Sequence, residues 1–118
     1  MANEISCSIS TTIAQAGQSV SGSGNFTANL SALNFLGQEV TIGSSSAAAL
    51  PLGGLATPTV VYIKNLDTTN YIQVDAVVGL TAFPQTIHAG QSILLLPNTG
   101  TIYAKANGAP VQAWIVTG

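Results

Sequence analysis

Period-two alternation is the feature that most limits what this chain can become. Between Glu4 and Ser10, the residues Ile5, Cys7 and Ile9 fall on one side of an extended backbone, while Glu4, Ser6, Ser8 and Ser10 fall on the other. That is the pattern of a half-buried strand. From Thr57 onward the pattern is clearer. Segments 59–66, 71–77, 92–96, 101–106 and 111–117 are mostly rich in β-branched and aromatic residues, with Gly, Pro and Asn between them. They predict five strands separated by turns about every ten residues. Such spacing predicts an all-β fold, an antiparallel β-sandwich or jelly roll. No segment has the length and composition of an amphipathic helix, and no fixed-period repeat appears.

Other segments are less decided. Gln15-Ala16-Gly17-Gln18 reads as a turn, and Ser19 to Gly24 as a Ser/Gly-rich link with little to pack. Phe26, Ala28 and Leu30 alternate, yet Phe26, Leu30, Leu33 and Leu36 also match a helical stripe that Gly37 would end. The reading preferred here is a strand followed by an irregular turn. Val40 and Ile42 make a short strand, and residues 44–54 hold either a strand or one helical turn before Pro51. Residues 24–118 are expected to form one domain. Residues 1–23 are expected either to pair inside it or to form an arm that joins a neighbour's sheet edge.

Composition narrows function more than fold. Only 5% of the 118 residues are charged, against a usual fraction of about 25%. Ser, Thr, Asn and Gln, 39 in all, keep the surface wet in their place. A formal net charge of -2 gives little mutual repulsion, which favours an assembled protein. The only cations are Lys64 and Lys105, with no Arg. Nucleic acid and anionic membrane are therefore not expected partners. The N-terminal residues lack a basic start and a continuous apolar run, so neither a signal peptide nor a membrane span is expected. The product is expected to be made in a cytoplasm.

Chemistry has few residues to work with. One Cys, one His and four carboxylates are a thin inventory for proton transfer or covalent catalysis, and no enzymatic activity is expected. Cys7 reads as a small buried hydrophobe, and His88 as a surface or turn residue before Ala89-Gly90. Zinc lacks ligands, and Asp67, Asn70 and Asp75 do not follow the calcium-loop spacing. Gly53-Gly54 has no phosphate-binding Lys after it. No metal or cofactor is expected. Asn25-Phe26-Thr27 and Asn29-Leu30-Ser31 match the N-glycosylation pattern, but in a chain this rich in Asn, Ser and Thr they carry no weight.

Charge concentrates in Tyr62 to Asp75, where Lys64, Asp67 and Asp75 fall within fourteen residues. Val61, Ile63, Ile72 and Val74 can share one face, so the stretch reads as a hairpin with Leu66 to Thr69 near its tip. Asn65, Asp67 and Asn70 are suited to bond back to nearby backbone and close the loop. The exposed tip makes Lys64, Asn65, Asp67 and Asn70 the candidate partner contacts.

The series Leu52-Gly53-Gly54-Leu55-Ala56-Thr57-Pro58, the stretch Tyr62 to Val74, Phe83-Pro84, the run Ala89 to Pro97 and Tyr103-Ala104-Lys105-Ala106 resembles small β-sandwich virion proteins of tailed bacteriophages. The most similar of these are capsid decoration, or cement, proteins. The resemblance spans roughly residues 38–117. It implies a non-enzymatic protein on the capsid exterior, made in the bacterial host cytoplasm. Its partner would be the major capsid protein lattice, bound as a homo-oligomer, a trimer or dimer. A place in the tail or at a vertex is the alternative within that class. A carbohydrate-binding module is the alternative outside it, with Trp114, Tyr62, Tyr71 or Tyr103 stacking on sugar rings, although core or sheet-face packing explains these aromatics more simply.

Overall fold

The computed structural model describes residues 4–29, 36–51, 58, 60–82, 84–97 and 101–118. Their regular structure is entirely β: β1 Glu4–Gln15, β2 Gln18–Asn29, β3 Leu36–Ile42, β4 Ala48–Ala49, β5 Val61–Asn65, β6 Ile72–Asp75, β7 Gln85–Ile87, β8 Ser92–Leu95, β9 Tyr103–Ala106 and β10 Val111–Thr117. No helix occurs among the described residues. Three antiparallel sheets result, in the orders β1-β2, β3-β10-β5-β8 and β4-β9-β6-β7. The chain divides into two compact units, Met1–Leu30 and Ser31–Gly118.

The first unit is a ribbon of two twelve-residue strands, paired from Glu4↔Asn29 to Gln15↔Gln18. Ala16 and Gly17 connect them with φ of 52° and 80°, the double left-handed geometry that matches the twist of a two-residue hairpin. The turn expected at residues 15–18 is present. Residues 19–24, read from sequence as a link, are instead part of β2. Ser and Gly have weak strand preference on their own, but the tight turn fixes their register against β1, and the pairing supplies what propensity does not. The unit therefore extends past the boundary expected after residue 23. Phe26 and Ala28 belong to the same strand, which decides for strand over helical stripe there; residues 30–35 lie outside the described residues.

The second unit is built by alternation. In β10 the burial pattern is strictly alternate over seven residues, with Val111, Ala113, Ile115 and Thr117 inward and Gln112, Trp114 and Val116 outward. β5 follows with Val61, Ile63 and Asn65 inward. Ile72 and Val74 of β6, Ile87 of β7 and Ala104 and Ala106 of β9 supply the other sheet's apolar face. Side chains of both four-stranded sheets belong to one hydrophobic cluster. Each buried Ile or Val contributes about 1.5–3 kcal/mol.

The strands reach this arrangement by crossing between sheets. β3, β5, β8 and β10 form one sheet and β4, β6, β7 and β9 the other, so every connection except β6 to β7 changes sheet. The hairpin expected over residues 61–75 is therefore not formed. β5 pairs with β10 and β8, while β6 pairs with β9 and β7. The intervening residues are an arch between sheets, because β5 and β6 belong to different ones. Of the alternatives for residues 44–54, the structure forms the short strand β4, extended by the Leu50 N–H donating to the Ile102 carbonyl at 2.8 Å; residues 52–57 lie outside the described residues.

Among the described residues one buried side-chain polar atom has no partner: the Thr117 hydroxyl, on a residue 1% exposed. Burying an unpaired hydroxyl costs on the order of 1–3 kcal/mol, and Val has nearly the same shape. Thr117→Val is expected to raise unfolding stability by about 1 kcal/mol, measured by urea denaturation. A loss of stability would show that the hydroxyl has a partner.

Candidate functional site

The four candidate contact residues separate once the arch is formed. Asn65 ends β5 on its inward face and is 0% exposed. Both protons of its side-chain amide are used: Nδ2 donates to the Asn70 carbonyl at 2.9 Å and to the Ile87 carbonyl at 3.0 Å. Its Oδ1 accepts from the Asp67 N–H at 2.8 Å. The backbone of Asn65 is also engaged, its N–H donating to Gln91 at 2.9 Å and its carbonyl accepting from Gly90 at 3.1 Å. This residue is an internal clamp, and no part of its side chain is available to a partner.

Asp67 organises the outside of the same arch. Its Oδ2 accepts the Asn70 N–H at 2.6 Å and the Thr69 N–H at 3.1 Å. These backbone donors, Asn70 foremost, hold its carboxyl below the ordinary value of 3.8, against a smaller opposing effect of desolvation. The loop closes on the far side through Asn107, whose Oδ1 accepts from the Tyr71 N–H at 2.9 Å and whose own N–H returns to the Tyr71 carbonyl at 3.0 Å. Tyr71 meets His88 edge to face, ring centres 5.8 Å apart. His88 is exposed and directly precedes the Ala89-Gly90 turn, as its sequence context predicted.

Lys64 points the other way. It is exposed on the outer face of β5 and lies directly across from Trp114 of β10, which is in turn directly across from Glu39 of β3. Trp114 is 39% exposed. Its Cζ2 lies 3.4 Å from where a β-carbon on Gly37 would stand, so the indole lies beside Gly37 of β3. Tyr62 and Val116 are paired on the same face, and Gln112 Nε2 donates to Thr41 Oγ1 at 2.7 Å along its edge. The result is an aromatic and aliphatic platform bordered by one acid and one base. Alternation in β10 indicated Trp114 as outward-facing, but its neighbours could not be named before the strand order was known.

The other sheet bears a shallow polar recess of about 260 Å³ lined by Ser44, Tyr71, Gln73, Lys105, Asn107 and neighbouring backbone. Cys7, expected to be buried, is only half-buried and lies opposite Phe26 in the ribbon. Cys7 and His88 belong to different units. Among the described residues no three of His, Cys, Asp and Glu are grouped to hold a metal. Asp75 is buried, and its carboxylate accepts the Ala76 and Ala82 N–H groups at 2.7 and 2.9 Å. These bonds fit a loop-closing role. No family model matches the chain, and no match is found among curated proteins or solved structures.

Two outcomes follow from the arch. Asn65→Ala leaves two carbonyls and one N–H without partners and is expected to cost about 2–4 kcal/mol of unfolding free energy, measured in urea. Asp67 has a lowered folded pKa, so its charge stabilises the fold fully above the unfolded value and loses that contribution as pH falls through the lower folded one. The stability gap between the native chain and Asp67→Ala should be flat above about pH 5 and narrow below 3.8. A gap that widens on acidification would contradict the assignment.

Proposed function

We propose that the protein is a non-enzymatic phage virion structural protein, a capsid decoration protein that binds the major capsid protein lattice from outside as a homo-oligomer. The observation that carries this reading is the strand order. Numbering the eight strands of the larger unit one to eight from β3, its sheets run 1-8-3-6 and 2-7-4-5. That order is the one expected of a double-sheet jelly roll, an architecture used by viral capsid and lectin domains. Fold alone does not define function. The residue resemblance to phage cement proteins and the nearly uncharged surface support the capsid choice.

The contact surface in this reading is the platform around Trp114, with Lys64 and Glu39 at its border, while Asn65 and Asn70 shape the arch beside it. Binding hot spots favour a Trp anchored among residues that exclude water. The same exposed Trp114 also favours a second reading, a carbohydrate-binding module in which the indole stacks on a sugar ring.

Cryo-electron microscopy of phage particles carrying the gene is expected to find copies on the capsid exterior. Trp114→Ala should reduce their occupancy at least tenfold, and Thr86→Ala on the opposite sheet should not. Particles without the protein would overturn the proposal. Specific retention on a glycan array that is lost in Trp114→Ala would instead support the carbohydrate reading.

A further inference from the structure

Of the eight asparagines in the chain, Asn107 alone is followed by glycine. It stands in the connection from β9 to β10, where both Asn107 and Gly108 are exposed. Ala109 donates its N–H to the Asn107 carbonyl at 2.9 Å, and Gly108 between them has φ of 78°, a tight three-residue turn that suits glycine. Within that turn the Gly108 N–H has no acceptor among the described residues. From this geometry we infer that Asn107 is a self-modification site, converted in the folded protein to aspartate and isoaspartate through a succinimide formed with the Gly108 nitrogen.

The nucleophile is the Gly108 nitrogen after hydroxide removes its proton, the step that also begins amide exchange and that an exposed, unbonded N–H undergoes most readily. Glycine has no β-carbon to obstruct the approach to Cγ of Asn107. As the N–Cγ bond forms, negative charge develops on Oδ1, which already accepts the Tyr71 N–H at 2.9 Å. A fixed backbone donor at the atom where charge develops favours the tetrahedral intermediate. The Nδ2 group makes no hydrogen bond among the described residues, so nothing retains it when the Cγ–Nδ2 bond breaks and ammonia leaves with a proton from water. Water then opens the ring. Attack at Cγ gives aspartate with the main chain intact, and attack at the main-chain carbonyl gives isoaspartate, with the chain running through the former side chain. The sum is amide plus water to carboxylate plus ammonium, and no oxidant or other reactant enters.

Other described asparagines lack these conditions. Asn65 is buried, and the Leu66 N–H that follows it donates to Gln112 at 2.9 Å. The N–H that follows Asn70 is that of Tyr71, already given to Asn107. Asn25 and Asn29 belong to β2 and precede Phe26 and Leu30, whose β-carbons stand in the way of attack. The two products at Asn107 act differently on the arch. Aspartate keeps an oxygen for the Tyr71 N–H and places a carboxylate in the recess that Lys105 lines, adding one negative charge to a chain whose formal net charge is -2. Isoaspartate adds a methylene to the main chain at this point, which shifts the turn and loosens the closure of the arch. This inference stands apart from the virion reading, because it needs only the chain itself and water.

The full native chain, incubated for weeks at mildly alkaline pH, is expected to accumulate species with one more negative charge on anion exchange. Peptide mass mapping should place a gain of one mass unit at Asn107, with at least tenfold less at Asn65 and Asn70, and isoaspartyl methyltransferase should label the product. The native chain should convert within tenfold of the rate of the same chain unfolded in urea. Asn107→Gln, whose longer side chain must close a larger ring, should form these species at least tenfold more slowly. Asn107→Asp, which keeps an acceptor for Tyr71, should co-elute from the start with the aspartyl product. The inference is overturned if the native chain stays unmodified while the unfolded chain converts, if the mass gain falls at other asparagines, or if Asn107→Gln acquires the acidic species as fast as the native chain.

Discussion

The larger unit depends on one buried amide. Asn65 reaches the core at the point where the chain leaves one sheet for the other, where a turning backbone exposes polar groups to a region without water. Its side chain joins the end of β5 to the Asn70 carbonyl before β6 and to the Ile87 carbonyl at the end of β7, so a single residue ties both sheets together. An unpaired buried amide would cost more than such bonds return, and both donors and the oxygen of this side chain are engaged. Asp67 then needs only to order the outer turn. This gives the carboxylates at residues 64–75 a role in a chain that otherwise avoids charge: Asp67 accepts backbone N–H groups of the β5–β6 arch, and Asp75 those of the β6–β7 loop.

From that crossing the functional surfaces follow. Since β5 joins β10 instead of β6, Lys64 is beside Trp114. The outer face of that sheet thereby gains an aromatic centre with an acid on one side and a base on the other. Among the described residues no three of His, Cys, Asp and Glu are grouped to hold a metal. Trp114, 39% exposed, is the centre of that face.

How much of this could be read in the sequence varies by residue for physical reasons. β10 was legible almost to the residue, since alternating burial is written directly into VQAWIVT. The strands at 61–65 and 72–75 were also legible, but their pairing was not. Alternation shows which side chains face inward, and hairpin and arch place the same residues inward. Asn65 was misassigned because Asn is a common turn residue; continuing the period from Val61 and Ile63 marks it as inward. Residues 19–24 hid a strand because Ser and Gly signal loops when read alone. Their partner in β1 and the turn at Ala16-Gly17 make them extended, a non-local effect that propensity cannot register. The Lys64 half of the candidate site kept its exposure, whereas the Asn65 half became framework.

Amide hydrogen exchange at Asn65 tests the central claim most directly. If its side chain clamps the two sheets, its Nδ2 protons should exchange only as slowly as the backbone amides of Ile63 and Ile115, through global unfolding, and far more slowly than those of exposed Asn107. Asn65 side-chain protons exchanging as fast as those of Asn107, while the β5 and β10 amides stay protected, would contradict it.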